Sequence, residues 1–288
     1  MGDVQGCADE FAALIARAER SFGVDHELWL VGDLINRGPA SLRVLEIARA
    51  RVDAGRARVV LGNHEIAWMR LAFGQRKPAH DDTFQSLLAE PDRDDWLDWL
   101  RRQPLVQTAR IGKREFAMVH AAVAPEWDRD ELEARARRIE ARLRESREDA
   151  RRLLAADPRD DPVADDLARL TRCRSVDATG VWSSREPRRA GDAWHERWSA
   201  RGHAYCVVYG HWSLQGLHVT PHVRGLDTGC VYHGHGRDGY LTAWVPDPLA
   251  ADPFAVPDTH FWQERARARY WPGPGRTGKI ASASTETS

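Results

Sequence analysis

Lysine is almost missing from this chain. Only Lys77, Lys113 and Lys279 stand among 42 basic residues. The rest are arginine, whose planar fork suits bidentate phosphate contacts, although a GC-rich coding sequence accounts for most of the bias. Net charge is missing too: a formal value of -1 excludes a general nucleic-acid coat or a membrane-surface binder. The four cysteines (Cys7, Cys173, Cys206, Cys230) have no C-x-x-C spacing, which excludes a zinc knuckle and a disulfide framework and suits a reducing cytosol. No apolar run approaches the ~18 residues of a membrane span, and the first residues lack the basic and apolar regions of a signal peptide. A cytoplasmic protein is expected.

What is present is a globular composition, 42% hydrophobic and 30% charged, in 288 residues, enough for one large domain with an elaborated part. "ADEFAALIARAERSF" carries Phe11, Leu14, Ile15, Ala18 and Phe22 at helical spacing. "ELWLVGD" reads as a short buried strand, "PASLRVLEIARARVDAG" as a helix opened by Pro39 and closed at Gly55, and "ARVVLGNHE" as the next strand. This is the βα rhythm of a parallel sheet. Further on, "EFAMVHA" and "AYCVVYGHW" are strands ending in His120 and His211, and "HVRGLDTGC" and "GYLTAWV" are later strands. Between the histidine strands, roughly 129–174 is a charged amphipathic helix pair, a solvated face or a cap.

Asp3, Asp33 and Asn63 are spaced 30 residues apart, about one βαβ unit. Each therefore emerges at the carboxyl end of a parallel strand, where open α/β sheets place their sites. Asp3, Gln5, Asp33, Asn63, His120 and His211 supply the mixed oxygen and imidazole ligands that two divalent cations about 3.5–4 Å apart require, with Asp33 as the natural bridge. His64 follows Asn63 into the same cleft and is placed to protonate a leaving oxygen. Arg37, four residues after Asp33, is placed to grip phosphate oxygens. The nucleophile expected of such a site is a water between the cations, its pKa lowered toward ~7.

The blocks "GDVQGC", "GDLINRGP", "LGNHE", "VHAAVAP" and "YGHW" resemble those of phosphoprotein-phosphatase-type, calcineurin-like metallophosphoesterases. "WLRRQPLV", "VHAAVAPEWD", "LTRCR", "GHWSLQGL" and "LDTGC" make the resemblance closer to one branch, the bacterial symmetrical bis(5'-nucleosyl)-tetraphosphatases (diadenosine tetraphosphatases). The likeness runs from Gly2 to about Trp244. It implies an α/β fold, an αββα sandwich, with two metal ions, manganese or cobalt, that cleaves diadenosine tetraphosphate into two ADP. It implies one metal on Asp3, the Gln5 position and Asp33, and the other on Asp33, Asn63, His120 and His211. His64 would be the general acid, Arg37 a phosphate ligand, and Arg172 and Arg174 of "LTRCR" further phosphate contacts. Residues 1–248 would form the catalytic domain, with 129–174 as helical insertion, and 249–288 an extension disordered after about 272.

Three departures qualify the likeness. Gln5 stands where protein phosphatases usually have histidine, and ligates only through its amide oxygen. Asn36 stands where an aspartate orients the imidazole of His64, and it brings no charge to stabilise imidazolium. The apolar strand expected ahead of the first loop is missing, so the first β-strand reads as truncated and a start upstream of Met1 is expected. Alternatives are a protein serine/threonine phosphatase and an inactive nucleotide-binding sensor of the same fold. RNA 5' ends capped with a nucleoside tetraphosphate are an additional expected substrate, a membrane partner is not expected, and the oligomeric state stays open.

Overall fold

A computed structural model describes residues 1–255 and 257–271. After α1 (Ala8–Phe22), the apolar runs form β1 (Leu28–Leu30) and β2 (Ala57–Val59), paired in parallel with Leu28 opposite Ala57. Parallel neighbours require a crossover, and α2 (Ser41–Asp53) provides it, starting two residues after Pro39. α3 (Asn63–Ala72) follows β2 directly, and α4 (Gln85–Ala89) and α5 (Arg93–Leu100) lead to a second sheet.

That sheet is built from β3 (Gln107–Ile111) and β4 (Arg114–Met118), followed after a long helical stretch by β7 (Cys206–Tyr209), β8 (His218–Val219) and β9 (Val223–Gly225). Its spatial order is β3-β4-β7-β9-β8, with the inner pairs parallel and both edge pairs antiparallel. A small ribbon of β5 (Ser175–Val176) and β6 (Trp182–Ser183) lies in the connection. β10 (Tyr240–Trp244) and β11 (Phe261–Arg265) form an antiparallel pair. Residues 1 and 2 join this pair to β1. The Val31 N–H donates to the Met1 carbonyl (3.2 Å) and the Gly2 N–H to the Thr242 carbonyl (2.8 Å). The first layer therefore runs β2, β1, residues 1–2, β10, β11. Beside Met1, a cavity of about 300 Å³ lies between Leu28–Trp29 and Ala243–Trp244, facing Phe116, Met118 and Val208.

Strand alternation fixes the layers. Trp29, Val31, Val60, Trp244 and Phe261 of one sheet meet Phe116, Met118, Cys206 and Val208 of the other in a shared core. The intervening residues turn outward: Leu28, Leu30, Val59, Ala117, Val207 and Val223 belong to the larger core built with the helices. This is an αββα arrangement, as the sequence blocks imply.

The stretch expected as a helix pair is three helices, α6 (Arg129–Glu145), α7 (Arg147–Ala155) and α8 (Pro162–Arg172). Two caps divide it. Ser146 Oγ accepts the Asp149 N–H (3.0 Å), and Asp161 accepts the N–H groups of Val163 and Ala164 ahead of Pro162 at the first helical position. Arg135 Nη1 donates to both oxygens of Asp166, at 2.9 and 3.0 Å, and ties α6 to α8, so part of the charge pattern is internal. The short α9 (Trp194–Ser199) precedes β7. No described helix is long and apolar enough to cross a membrane. Residues 272–288, where disorder is expected, lie outside the described residues.

Candidate active site

β1 ends into Asp33, β2 into Asn63 and His64, β4 into His120 and β7 into His211. Both sheets thus deliver their carboxyl-end residues to one place. The backbone there is strained. Among the described residues, the non-glycine positions with positive φ are Gln5 (47°), Asp33 (49°), Asn36 (78°), Arg37 (63°) and His211 (67°). Each costs about 1–3 kcal/mol and persists only where surroundings over-determine it. Glu65, the third residue of α3, does much of that. Its carboxylate accepts the N–H groups of Gly62 (2.8 Å), Asp33 (2.9 Å), Leu34 (2.8 Å) and Ile35 (3.3 Å). The His211 N–H donates to both oxygens of Asp3 at 3.1 Å. Glycine is required beside these contacts: a Cβ on Gly62 would lie 2.2 Å from Asp33 Oδ1, and one on Gly210 would lie 2.0 Å from Asp3 Oδ1.

Donor atoms of Asp33, His120 and His211 all lie within 4.8 Å of one another. His120 Nδ1–H donates to the Val31 carbonyl (2.8 Å), which leaves Nε2 as a lone-pair donor 3.4 Å from Asp33 Oδ1. Asn63 Oδ1 sits between the imidazoles, 3.1 Å from His120 Nε2 and 2.7 Å from His211 Nδ1. The Gln5 side chain lies beside Asp33 and helps to hold its carboxyl low. The charge state of this set suits cations. Burial, then the carboxylates of Asp227 and Asp33, drives Asp3 well above the usual carboxylate range. Burial chiefly raises Asp227 to about 6. Burial also drives His211 and His120 down, so both imidazoles stay neutral. Asp33 stays low despite burial because His120 and His64 face it. Crowded buried carboxylates with neutral imidazoles are costly alone and are relieved by a divalent cation.

His64 joins this cluster. Its backbone N–H donates to Asp33 Oδ1 (2.9 Å), and its Nε2 lies 3.8 Å from Asp33 Oδ2. Its Nδ1–H donates to the carbonyl of Ile35 (3.0 Å). That main-chain group occupies the orienting position expected of Asn36. The Asn36 side chain turns elsewhere: Oδ1 accepts from the N–H of Thr83 (2.9 Å), and Nδ2 donates to Asp82 (3.0 Å).

Arginines of two cavities border the cluster. Arg174 donates to the His211 carbonyl (3.2 Å), while Arg37 is paired with Asp81. Arg172 lines a cavity of about 330 Å³ with Asn63, Arg70 and Arg76. Burial, then the charges of Arg172 and Arg76, lowers Arg70, and its Nε is buried without a partner among the described residues. Arg76 is already paired with Asp82, whereas Arg70 and Arg172 have no ion-pair partner among the described residues and call for an anion.

Residues 1–235 match the family described as calcineurin-like phosphoesterase. The chain belongs to that family. It is 36% identical over 251 residues to the symmetrical bis(5'-nucleosyl)-tetraphosphatase of Acidovorax sp. (strain JS42), covering 81% of this chain and 88% of the relative. A solved structure described as a diadenosine tetraphosphatase has the same fold, with a TM-score of 0.57 at 22% identity over 94% of this chain and 92% of that one. A protein serine/threonine phosphatase from Saccharomyces cerevisiae shares it more loosely, with a TM-score of 0.51 at 15% identity over 93% of this chain and 78% of the other.

As a calcineurin-like phosphoesterase the chain is a metal-dependent hydrolase, and the structure adds residues to its site. Asp227, 3% exposed, sits close enough to repel Asp3, and its Oδ1 accepts the Gly229 N–H (3.0 Å). It lies in the quoted block "LDTGC", where an isolated Asp ahead of Gly reads equally as a turn. Glu65 is signalled by its place as the third residue of a helix opened by Gly62, the acidic half of a capping box. Arg70, on α3, and Arg76, in the loop after it, carry no signal that separates them from other surface arginines. Of the aromatics, Trp127 is 2% exposed and belongs to the core.

Proposed function

We propose that the chain hydrolyses dinucleoside tetraphosphates symmetrically, converting diadenosine tetraphosphate and water into two ADP. The observation that carries this reading is the arginine placement. Arg70, Arg76 and Arg172 line one cavity with Asn63, while Arg174 lines a second cavity and bonds the His211 carbonyl, and Arg37 lies near Trp271 of that second cavity. A run of four phosphates over the cluster would reach the cations of both cavities, which the single phosphate of a phosphoprotein does not need.

Two divalent cations, manganese or cobalt, would be held by Asp3, Gln5 and Asp33 and by Asp33, Asn63, His120 and His211. When bound, they supply Lewis-acid charge for the phosphate oxygens and acidify a water. The chain's own residues do the rest. Arg172 and Arg70 neutralise the terminal phosphates of one half, and Arg174 those of the other. Arg37 gives its remaining N–H groups to a non-bridging oxygen. His64, its Nδ1–H fixed on the Ile35 carbonyl, presents Nε2 to the leaving ADP oxygen and delivers the proton there. Asn36 acts at a distance: Asp82 holds both its amide and the guanidinium of Arg76. The same phosphate run at a nucleoside-tetraphosphate-capped RNA 5' end is a further substrate. Four free, buried cysteines support a cytoplasmic site of action.

The test is a parallel assay, with manganese, of diadenosine tetraphosphate and a phosphoserine peptide. Turnover of the first, with little or none of the second, is expected. Turnover of the peptide alone overturns the reading, and tight nucleotide binding without any hydrolysis supports a sensor instead.

A further inference from the structure

Beyond Arg174 the site opens into a cavity of about 540 Å³ with an aromatic wall, within the size range of small-molecule sites. Trp271 meets Tyr232 edge-on (5.2 Å between centroids, 89°) and stands 5.1 Å from the His235 ring. The His235 ring is hydrogen bonded to the Trp271 carbonyl (2.5 Å), which fixes this corner. The indole N–H of Trp271 is buried and has no partner among the described residues. Leu214 also lines the cavity, and it is 71% exposed, a large apolar side chain that the described chain leaves uncovered. Arg237 lies 5.8 Å from the Tyr232 ring centroid and donates to Ser213 Oγ (3.1 Å), holding the loop that carries Leu214.

This cavity adjoins the Asp33 cluster through Arg174. Arg174 lines it and bonds the His211 carbonyl. Arg37, four residues after Asp33, has its guanidinium carbon 6.0 Å from the Trp271 ring centroid. The other arginine-lined cavity, with Arg70, Arg76 and Arg172, has no aromatic in its lining. The two cavities therefore differ: one offers charge alone, the other charge with flat apolar surface.

We propose that the cleft between Trp271, Tyr232 and Leu214 binds the nucleobase of one half of the substrate, so that a nucleoside diphosphate is held there by ring stacking while its phosphates meet Arg174 and Arg37. This rests on the reading of the chain as a dinucleoside tetraphosphate hydrolase. Stacking accepts any base with a π-face, so ADP and GDP bind within a few-fold of each other. The second nucleoside is held by its phosphates.

The test is calorimetric titration of the manganese-loaded protein with ADP, GDP and pyrophosphate. Trp271→Ala should weaken ADP roughly 5- to 150-fold, the span of base–aromatic stacking, and leave pyrophosphate unchanged. Trp271→Phe keeps a ring and should retain most of the affinity. Leu214→Ser alters an exposed side chain that the fold does not need, and should weaken ADP but not pyrophosphate. Unchanged ADP affinity in both Trp271→Ala and Leu214→Ser overturns the cleft, as does an equal loss for ADP and pyrophosphate. A wild-type protein that binds ADP through Trp271 yet leaves diadenosine tetraphosphate intact overturns the proposed reaction and not the cleft.

Discussion

Gly210→Ala adds one methyl group at the point where the two sheets meet. The new Cβ would lie 2.0 Å from Asp3 Oδ1 and 2.7 Å from Val31 Cγ2. Ordinary contact demands that the carboxylate retreat by about 1 Å, since the valine is fully buried and has little room. Gly210 does not have a positive φ, so alanine adopts its backbone without strain and the effect is steric alone. Asp3 would lose its paired contacts to the His211 N–H. Overpacking of this size costs about 1–3 kcal/mol, seen as a fall of a few degrees in the Tm of the metal-free protein. Displacing a metal-site carboxylate by ~1 Å costs on the order of 100-fold in turnover. The assays are thermal unfolding, manganese titration and diadenosine tetraphosphate turnover on one preparation. Wild-type manganese affinity and turnover, whatever the Tm, would refute the placement of Asp3 in the metal site.

Two further outcomes follow from the geometry. His64→Asn should lower turnover by about 100- to 10,000-fold with manganese affinity unchanged, since the Asp33, His120 and His211 cluster stays intact; full turnover removes His64 from proton transfer. His195, buried beside His218 and accepting a hydrogen bond from Gln215 (2.7 Å), is held down to about 3, by burial first. The unfolded chain takes up that proton near pH 6.5 while the fold refuses it, so stability is lost as pH falls. Between pH 7 and 5 the loss is roughly 2 kcal/mol in urea unfolding, and His195→Gln should be free of it; identical pH dependence in both proteins would contradict the assignment.

The convergence of these residues was legible because it rests on local pattern. Asp3, Asp33 and Asn63 repeat at the period of a βα unit, and His120 and His211 end apolar runs. Long-range contacts were not legible. The group orienting His64 is the carbonyl of Ile35, and a carbonyl leaves no mark in sequence, whereas Asn36 beside it invited the role. The division of 129–174 at Ser146 and Asp161 was readable as Ser-x-x-Asp and Asp-Pro signals, but the continuous charge masked it. Arg70 and Arg76 gain meaning only where α3 and the following loop bring them beside Arg172. Trp271 reaches the site because β11 pairs with β10, a contact set by tertiary packing, with no periodicity to announce it.

The central claim is that a phosphate chain lies across the Asp33 cluster with two phosphates on each side. Chromatography of the products formed from diadenosine tetraphosphate with manganese tests it directly. ADP as the sole nucleotide product, two per substrate consumed, is the predicted result. ATP and AMP in equal amounts would place the cut elsewhere on the chain and contradict the account.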